Sequence, residues 1–287
     1  MRYGISVPNM GDLDLLVRMG EEADRAGWDG FFLWDHMRMM REIPVPLFDP
    51  WVALGAIAAR TERVRIGTMI TPLARRRPWK LARETVTLDH LSKGRLILGV
   101  GLGYPTDADF ELLGEDSDDR VRADKLDEGL QLLVGFWNGE PFEFHGRHFH
   151  VREAQFLPTP VQRPRIPIWV GGMWPNRGPF RRAAAWDGVF PIGVDERGEP
   201  TGLAPEGVAE VAAYVRARRR THEPFEIAAG AVGLDADQIA AYEAAGATWF
   251  FPDAGVEGPG WEEPTLELIR RGPPGCVSPG GTAPPRP

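Results

Sequence analysis

Short apolar runs alternate with segments whose apolar side chains recur at helical spacing, from one end of the chain to the other. That rhythm is the mark of βα units built around a parallel sheet. Eight such pairs can be read, with strands expected over residues 3–7, 31–34, 64–70, 95–101, 166–170, 188–191, 225–229 and 248–251. In the first helix, over 12–26, Leu13, Leu16, Val17, Gly20 and Ala23 share one face, Asp12 is placed to cap the start and Gly27 to stop the end. Further helices are expected over 50–60, 78–93, 121–137 and 264–271, with Pro78 suited to a first turn and Lys93-Gly94 to a last one. Residues 142–156 alternate aromatic and polar side chains around His145-Gly146, which predicts a small hairpin excursion before strand five.

A closed α/β barrel needs roughly 250 residues, so a chain of 287 fits one domain. The expected fold is a single (β/α)8 TIM barrel over residues 1–271. Residues 272–287 are dominated by Pro and Gly and are expected to form a disordered tail. A net charge of -8 opposes binding to a nucleic-acid backbone, which needs clustered cations. The single cysteine, Cys276, excludes an intrachain disulfide and a cysteine-based metal site, and suits a reducing cytoplasm. A strand beginning near Tyr3 leaves no room for a signal peptide, and no apolar run approaches the ~20 residues of a membrane span.

Barrel active sites lie where strands end, which directs attention to four places. At Trp34-Asp35-His36, alternation puts His36 on the face of Trp34 and Phe32, and Asp35 can set the imidazole tautomer if the turn brings the two together. An Asp capping the loop beside a His satisfied by backbone is the equally weighted alternative. Along Gly99-Val100-Gly101-Leu102-Gly103 the glycines share one face, leaving bare backbone against which a flat ring can lie; relief of crowding in a small barrel is the other explanation. The spacing fails a dinucleotide fingerprint, and Pro105 interrupts any immediate helix. The Gly171-Gly172-Met173 turn, followed by Arg177, Arg181 and Arg182, suits a phosphate cradle, with an ordinary βα turn and solvated arginines as the alternative. After Thr68-Met69-Ile70, the run Arg75-Arg76-Arg77 can hold an anion, although a solvated loop is the simpler reading. His145, His148 and His150 are expected to be surface residues of the hairpin, with no metal site.

The segment Thr87-Leu88-Asp89-His90-Leu91-Ser92-Lys93-Gly94-Arg95-Leu96-Ile97-Leu98-Gly99-Val100-Gly101 closely resembles the signature of the bacterial luciferase-like flavin-dependent monooxygenases, a family with deazaflavin-dependent members. The runs Gly27 to His36 and Ile166 to Gly172 add to the resemblance, which covers residues 1 to about 255. It implies a barrel that binds FMN or, alternatively, the deazaflavin coenzyme F420, with Asp35 and His36 beside the reactive edge of the ring. It places the ring contacts at Thr68, Met69 and Ile70, with Met69–Ile70 the candidate for a non-prolyl cis bond. The strand-four glycines fall on Gly99, Gly101 and Gly103, and the phosphate loop on Gly171, Gly172 and Met173. It also implies a homodimer.

Departures narrow the picture. Deazaflavin-dependent sugar-phosphate dehydrogenases carry an acidic residue after the strand-four glycines, where this chain has Leu102-Gly103-Tyr104-Pro105. The region between strands six and eight lacks the long insertion of the luciferase subunits, so light emission is not implied. The leading expectation is an oxidoreductase using reduced FMN for oxygenation or hydride transfer on a small organic substrate, with F420-dependent hydride transfer as the runner-up. A flavin-binding protein without turnover and a metal-dependent barrel hydrolase are the rival classes. Trp34, Met37, Met39, Met40, Trp51 and Trp174 are expected around an apolar substrate mouth.

Overall fold

The computed structural model describes residues 1–231, 233, 235–256 and 260–274. The chain begins with β1 (Arg2–Val7), α1 (Leu13–Ala26), β2 (Gly30–Leu33), α2 (Pro50–Arg60), β3 (Arg65–Pro72) and α3 (Pro78–Leu91). It continues through β4 (Leu96–Gly101), α4 (Thr106–Asp109), α5 (Asp119–Trp137), β5 (Phe142–His145), β6 (His150–Ala154), β7 (Ile168–Met173) and α6 (Arg177–Ala183). The last third holds β8 (Gly188–Val194), β9 (Pro200–Thr201), α7 (Pro205–Arg216), β10 (Glu226–Ala231), α8 (Ala236–Ala244), β11 (Trp249–Pro252) and α9 (Glu262–Arg271).

Eight of these strands run parallel in the order β10-β11-β1-β2-β3-β4-β7-β8, and a β8–β10 pairing closes the ring. The (β/α)8 barrel expected from the apolar rhythm is therefore the fold. The helices start and stop for local reasons. Asp12 caps α1 by accepting from Leu15 N, and Gly27 ends it in the left-handed conformation that glycine adopts without steric cost. Asp49 and Asp118 cap α2 and α5 in the same way, and Pro50 and Pro78 occupy first turns.

Sequence reasoning missed the small elements. The short α4, a 3-10 turn at Leu73–Arg75, another at Glu111–Leu113, and the β9 strand antiparallel to the end of β8 were not foreseen. The β5–β6 hairpin stands outside the barrel as expected, with His145 and His150 exposed, although the ring of His148 is mostly buried. Among the described residues, no group of three or more His, Cys, Asp or Glu side chains is arranged to hold a metal, and no helix is long and apolar enough to cross a membrane. Gly272 and Pro273 are buried, whereas Cys276 and residues 275–287 lie outside the described residues.

The barrel interior is filled from below. Phe32, Trp169, Trp249 and Phe251 form an aromatic plug, with the rings of Phe32 and Trp169 stacked at 5.7 Å and those of Trp169 and Trp249 edge-to-face at 5.2 Å. Glycines make room for it: a Cβ on Gly30 would meet the Phe32 ring at 2.6 Å, and one on Gly188 the Trp169 ring at 2.5 Å. Packed solid at this level, the interior of the barrel opens to a ligand above the plug, at the C-terminal ends of its strands.

Candidate active site

Above the plug the inward side chains become half-buried while their outward neighbours stay buried. Ser6, Trp34, Ile70, Met173, Phe190 and Ile192 are of the first kind; Val7, Leu33, Pro191 and Gly193 are of the second. Strand alternation turns the first set toward the barrel axis, so they line an apolar cup open at the strand ends. One polar contact crosses its wall, from Trp34 Nε1 to Ser6 Oγ at 3.1 Å.

The β3–β4 register shifts between Thr68 and Thr71, and the Met69–Ile70 peptide is cis, at the bond singled out from the resemblance. The bulge presses toward β4 and explains its glycines. A Cβ on Gly99 would lie 2.1 Å from the Thr68 carbonyl oxygen, and one on Gly101 would lie 2.7 Å from Ile70 Cδ1. Gly171 is covered by Ile70 as well, at 2.8 Å. The expectation of a bare glycine floor is thus corrected: the space beside Gly99 and Gly101 is filled by the bulge, and Ile70 is the surface that the cup presents. Gly103 stands at the edge, at φ +91°, packed against Pro72 and Phe110. Behind the bulge, Thr71 Oγ1 donates to Asp35 Oδ2 at 2.7 Å and lies 2.9 Å from Thr68 Oγ1.

His36 follows β2, and its backbone is clamped by Asn9. The buried Asn9 amide donates to His36 O at 2.9 Å and to Phe48 O at 2.7 Å, and its Oδ1 accepts from His36 N at 3.2 Å. The ring is held by Asp109 of α4, with Nδ1 and Oδ2 3.1 Å apart. Asp109 Oδ1 also accepts the backbone N–H groups of Met37 and Arg38, each at 2.8 Å. Nε2 of His36 has no hydrogen-bond partner among the described residues, and the side chain keeps 17% of its surface exposed. An imidazole donating Nδ1–H to a carboxylate presents Nε2 as its free acceptor.

The expectation that Asp35 would set the tautomer is corrected. Asp35 is fully buried and committed elsewhere: Arg76 Nη2 donates to its Oδ1 at 2.7 Å, and Arg75 reaches the same oxygen at 3.3 Å and the Asp35 backbone carbonyl. Arg75 bridges the two carboxylates, lying 3.5 Å from Asp109 Oδ2. Arg75 and Arg76, expected in a solvated loop, are thus structural counter-ions of the site. Burial resists ionisation of Asp109, but the His36 hydrogen bond, the Arg75 charge and the backbone N–H groups outweigh it and hold the carboxyl below its usual range. For Arg75 burial prevails over Asp35 and Asp109 and lowers its affinity for the proton; for Arg76 the contact with Asp35 prevails over burial and raises it.

The remaining candidates divide. Met37 and Met40 are exposed and Met39 half-exposed on the loop after His36, with Met37 and Leu113 beside Arg75 and Arg76 in one small cavity. Trp51 and Trp174 do not join them. Trp51 is buried on α2, and Trp174 is buried against Phe180 and Tyr214, its Nε1 donating to Glu210 at 3.0 Å. Gly171 and Met173 lie on the inward face of β7, whereas a Cβ on Gly172 would strike Pro179 of α6 at 2.2 Å. Arg177 is exposed, with its guanidinium stacked 3.8 Å from the Trp174 ring, and Arg182 is paired with Asp127. Asp109 and Asn9 were missed. Asn9 sits just past the first strand, in the region that barrel logic singles out, and Pro105 ahead of Thr106-Asp107 is a helix-start signal.

Comparison with known proteins adds the context. The model of the luciferase-like monooxygenase family matches residues 1–273. An F420-dependent glucose-6-phosphate dehydrogenase of Microbacterium testaceum is 34% identical over 163 residues, 56% of this chain and 47% of that protein. The chain thus spans about half the length of the curated relatives it matches. Among solved structures, the coenzyme F420-dependent tetrahydromethanopterin reductase of Methanopyrus kandleri superposes with a TM-score of 0.75 at 16% identity, covering 94% of this chain and 98% of that one. A monooxygenase from Streptomyces bottropensis gives 0.70 at 21%, covering 94% and 97%. At such identities the superpositions speak for the barrel alone. The match of the family model over residues 1–273, with the strand-four signature, places the chain in the luciferase-like monooxygenase family, a family of oxidoreductases.

Proposed function

We propose that this chain is a coenzyme F420-dependent oxidoreductase that moves a hydride between the deazaflavin and a small, largely apolar organic substrate at the barrel mouth. The observation that carries the proposal is the His36–Asp109 pair at the lip of an apolar cup walled by Trp34 and Ile70. The relative matched by sequence is named for F420, which favours that cofactor over the FMN expected first.

The residues fit such a group. Ile70, backed by the β3 bulge, offers an apolar surface for a flat ring and Trp34 walls the same cup, whereas Thr68 and Met69, expected as ring contacts, are buried, Met69 within the plug; Gly171 and Met173 lie on the β7 side toward the phosphate, with Arg177 as a nearby cation. When bound, the deazaflavin supplies two-electron hydride chemistry. His36 holds the substrate hydroxyl or carbonyl through Nε2, taking its proton during oxidation and returning it during reduction. Asp109 keeps Nδ1 protonated and stabilises the imidazolium when it forms, as a buried carboxylate does behind a catalytic histidine. Arg75 and Arg76 supply the cationic partners of Asp109 and Asp35 inside the protein.

A sugar phosphate is disfavoured as substrate. The acidic residue after the strand-four glycines is missing, and the exposed side chains near the mouth include Met37, Met40, Ile43, Phe48, Leu112 and Leu113. Such a lip suits an apolar body. A homodimer in the cytoplasm completes the proposed setting.

The test is anaerobic mixing of the purified chain with oxidised F420 and a panel of secondary alcohols, following loss of the deazaflavin absorbance. Turnover by wild type, lost in His36→Ala while F420 binding persists, is the expected result. Bound F420 with no turnover across the panel would favour a sequestering protein instead.

A further inference from the structure

A cavity of ≈ 530 Å³ lies at the other end of the barrel. Its floor is apolar, made by Ala212, Phe225, Ile227 and Gly246, and it opens beside the starts of β10 and β11. The catalytic rim is formed by the opposite ends of those strands, so the two sites are separated by the aromatic plug. Its volume is that of an ordinary small-molecule pocket.

The rim is cationic in a protein of net charge -8. Arg216, Arg219 and Arg220 face it together with His222, against the single carboxylate of Glu223. The neighbouring acids are already engaged: Glu226 with Arg2 and Thr248, and Asp187 with Arg165. Arg219 is fixed in place, donating to Trp186 O at 2.7 Å, Thr221 Oγ1 at 3.1 Å and Glu223 O at 2.9 Å, with its guanidinium over the Phe225 ring at 4.5 Å. It organises the loop. Arg216 and Arg220 are exposed and make no ion pair or side-chain hydrogen bond among the described residues.

Two guanidinium forks with no partner among the described residues thus stand together with Arg219 and His222 at the edge of an apolar-floored cavity. We infer that this cavity binds an organic phosphate, with the phosphate held by Arg216 and Arg220 and an apolar or aromatic body lying against Phe225 and Ile227. A phosphate offers three oxygens to two planar forks, which suits it better than a single carboxylate. The inference does not rest on the F420 proposal, because the cavity shares no residue with the barrel mouth.

Isothermal titration of the intact chain tests it, with AMP as the probe and adenosine and inorganic phosphate as its two halves. AMP is expected to bind, each half at least about tenfold more weakly, and an Arg216→Ala/Arg220→Ala double variant to lose about tenfold or more in AMP affinity. Both side chains are exposed, so the unfolding midpoint without ligand and the F420 titration should stay at wild-type values. No AMP binding at millimolar concentration, equal binding by the double variant, or displacement of AMP by F420 would each overturn the inference. Adenosine or inorganic phosphate binding as tightly as AMP would do the same.

Discussion

The imidazole of His36 is held by Asp109, 73 residues further along the chain, and not by the adjacent Asp35. The two carboxylates divide the work. Asp109 faces the ring that the substrate would meet, and Asp35 faces Arg75, Arg76 and Thr71 behind it. Replacing each should therefore produce different phenotypes.

Asp109→Asn keeps the size of the side chain but removes the charge that stabilises a protonated His36. General acid–base groups contribute about 100- to 10,000-fold, and part of that should be lost: kcat should fall by at least about tenfold while F420 affinity stays within a few-fold. Steady-state kinetics beside an F420 titration checks both. An Asp109→Asn enzyme with unchanged kcat at every pH would remove Asp109 from the mechanism.

Asp35→Ala should act on stability first. Removing one partner from a buried ion-pair network costs about 3–5 kcal/mol, because the other charges stay buried without compensation. Urea unfolding of Asp35→Ala should show a loss of that order, whereas His36→Ala, at a partly exposed ring, should lose far less. Equal losses in the two variants would contradict the division.

Acid should weaken the fold through Asp109. Its pKa in the folded protein lies below the unfolded value, so its stabilisation is present above the unfolded value and is lost as pH falls through the folded one. Asp24 behaves alike: burial opposes ionisation, but the backbone N–H groups of Val64, Arg63 and Glu62 prevail. Urea midpoints measured from neutral pH down to about 3 should drop below about pH 4, and Asp109→Asn should flatten that drop.

The strand-four glycines give a graded test of the bulge. In Gly99→Ala the new methyl meets a backbone carbonyl, which cannot move alone; in Gly101→Ala it meets the tip of Ile70, which can turn. Gly99→Ala should cost more than the ~1–3 kcal/mol of ordinary overpacking, and Gly101→Ala less, with weakened F420 binding as its main effect. Thermal unfolding and F420 titration of both variants would decide the order.

Tyr104 links two loops at the barrel mouth, donating to Glu199 at 2.6 Å, and that hydrogen bond, with burial and the Glu199 charge behind it, pushes the phenol up to about 12. The raised value means that the link is intact below the ordinary tyrosine range and is lost as pH rises through the folded value. Burial also raises Tyr3 and Tyr242, so the readout is the difference between proteins: in ultraviolet titration the Tyr104 step should move from about 12 toward 10 in Glu199→Gln while the other tyrosines stay in place.

The barrel was legible because a parallel sheet buried on both faces writes its strands as apolar runs, while the helices between them carry one apolar face and an explicit cap. Asp12, Asp49 and Asp118 each cap the helix that follows. The line of His36, Ile70 and the β4 glycines was legible for the same reason, since strand ends are where barrels keep their ligands. What could not be read was pairing across loops. Nothing in the one-dimensional pattern says that α4 folds Asp109 back under His36, or that Arg75 and Arg76 turn inward to meet Asp35. Those contacts depend on where the connecting segments pack. The glycines illustrate the same limit, for alternation gave their face but not the Ile70 side chain that fills it.

The measurement that bears most directly on the central claim is a side-by-side fluorescence titration of the purified chain with oxidised coenzyme F420 and with FMN, repeated on Ile70→Ala and His36→Ala. Saturable F420 binding at micromolar concentration or below, weak FMN binding, loss of affinity in Ile70→Ala and retention in His36→Ala are the predicted results. Tight FMN binding with none for F420, or F420 binding indifferent to Ile70, would contradict the account of the cup.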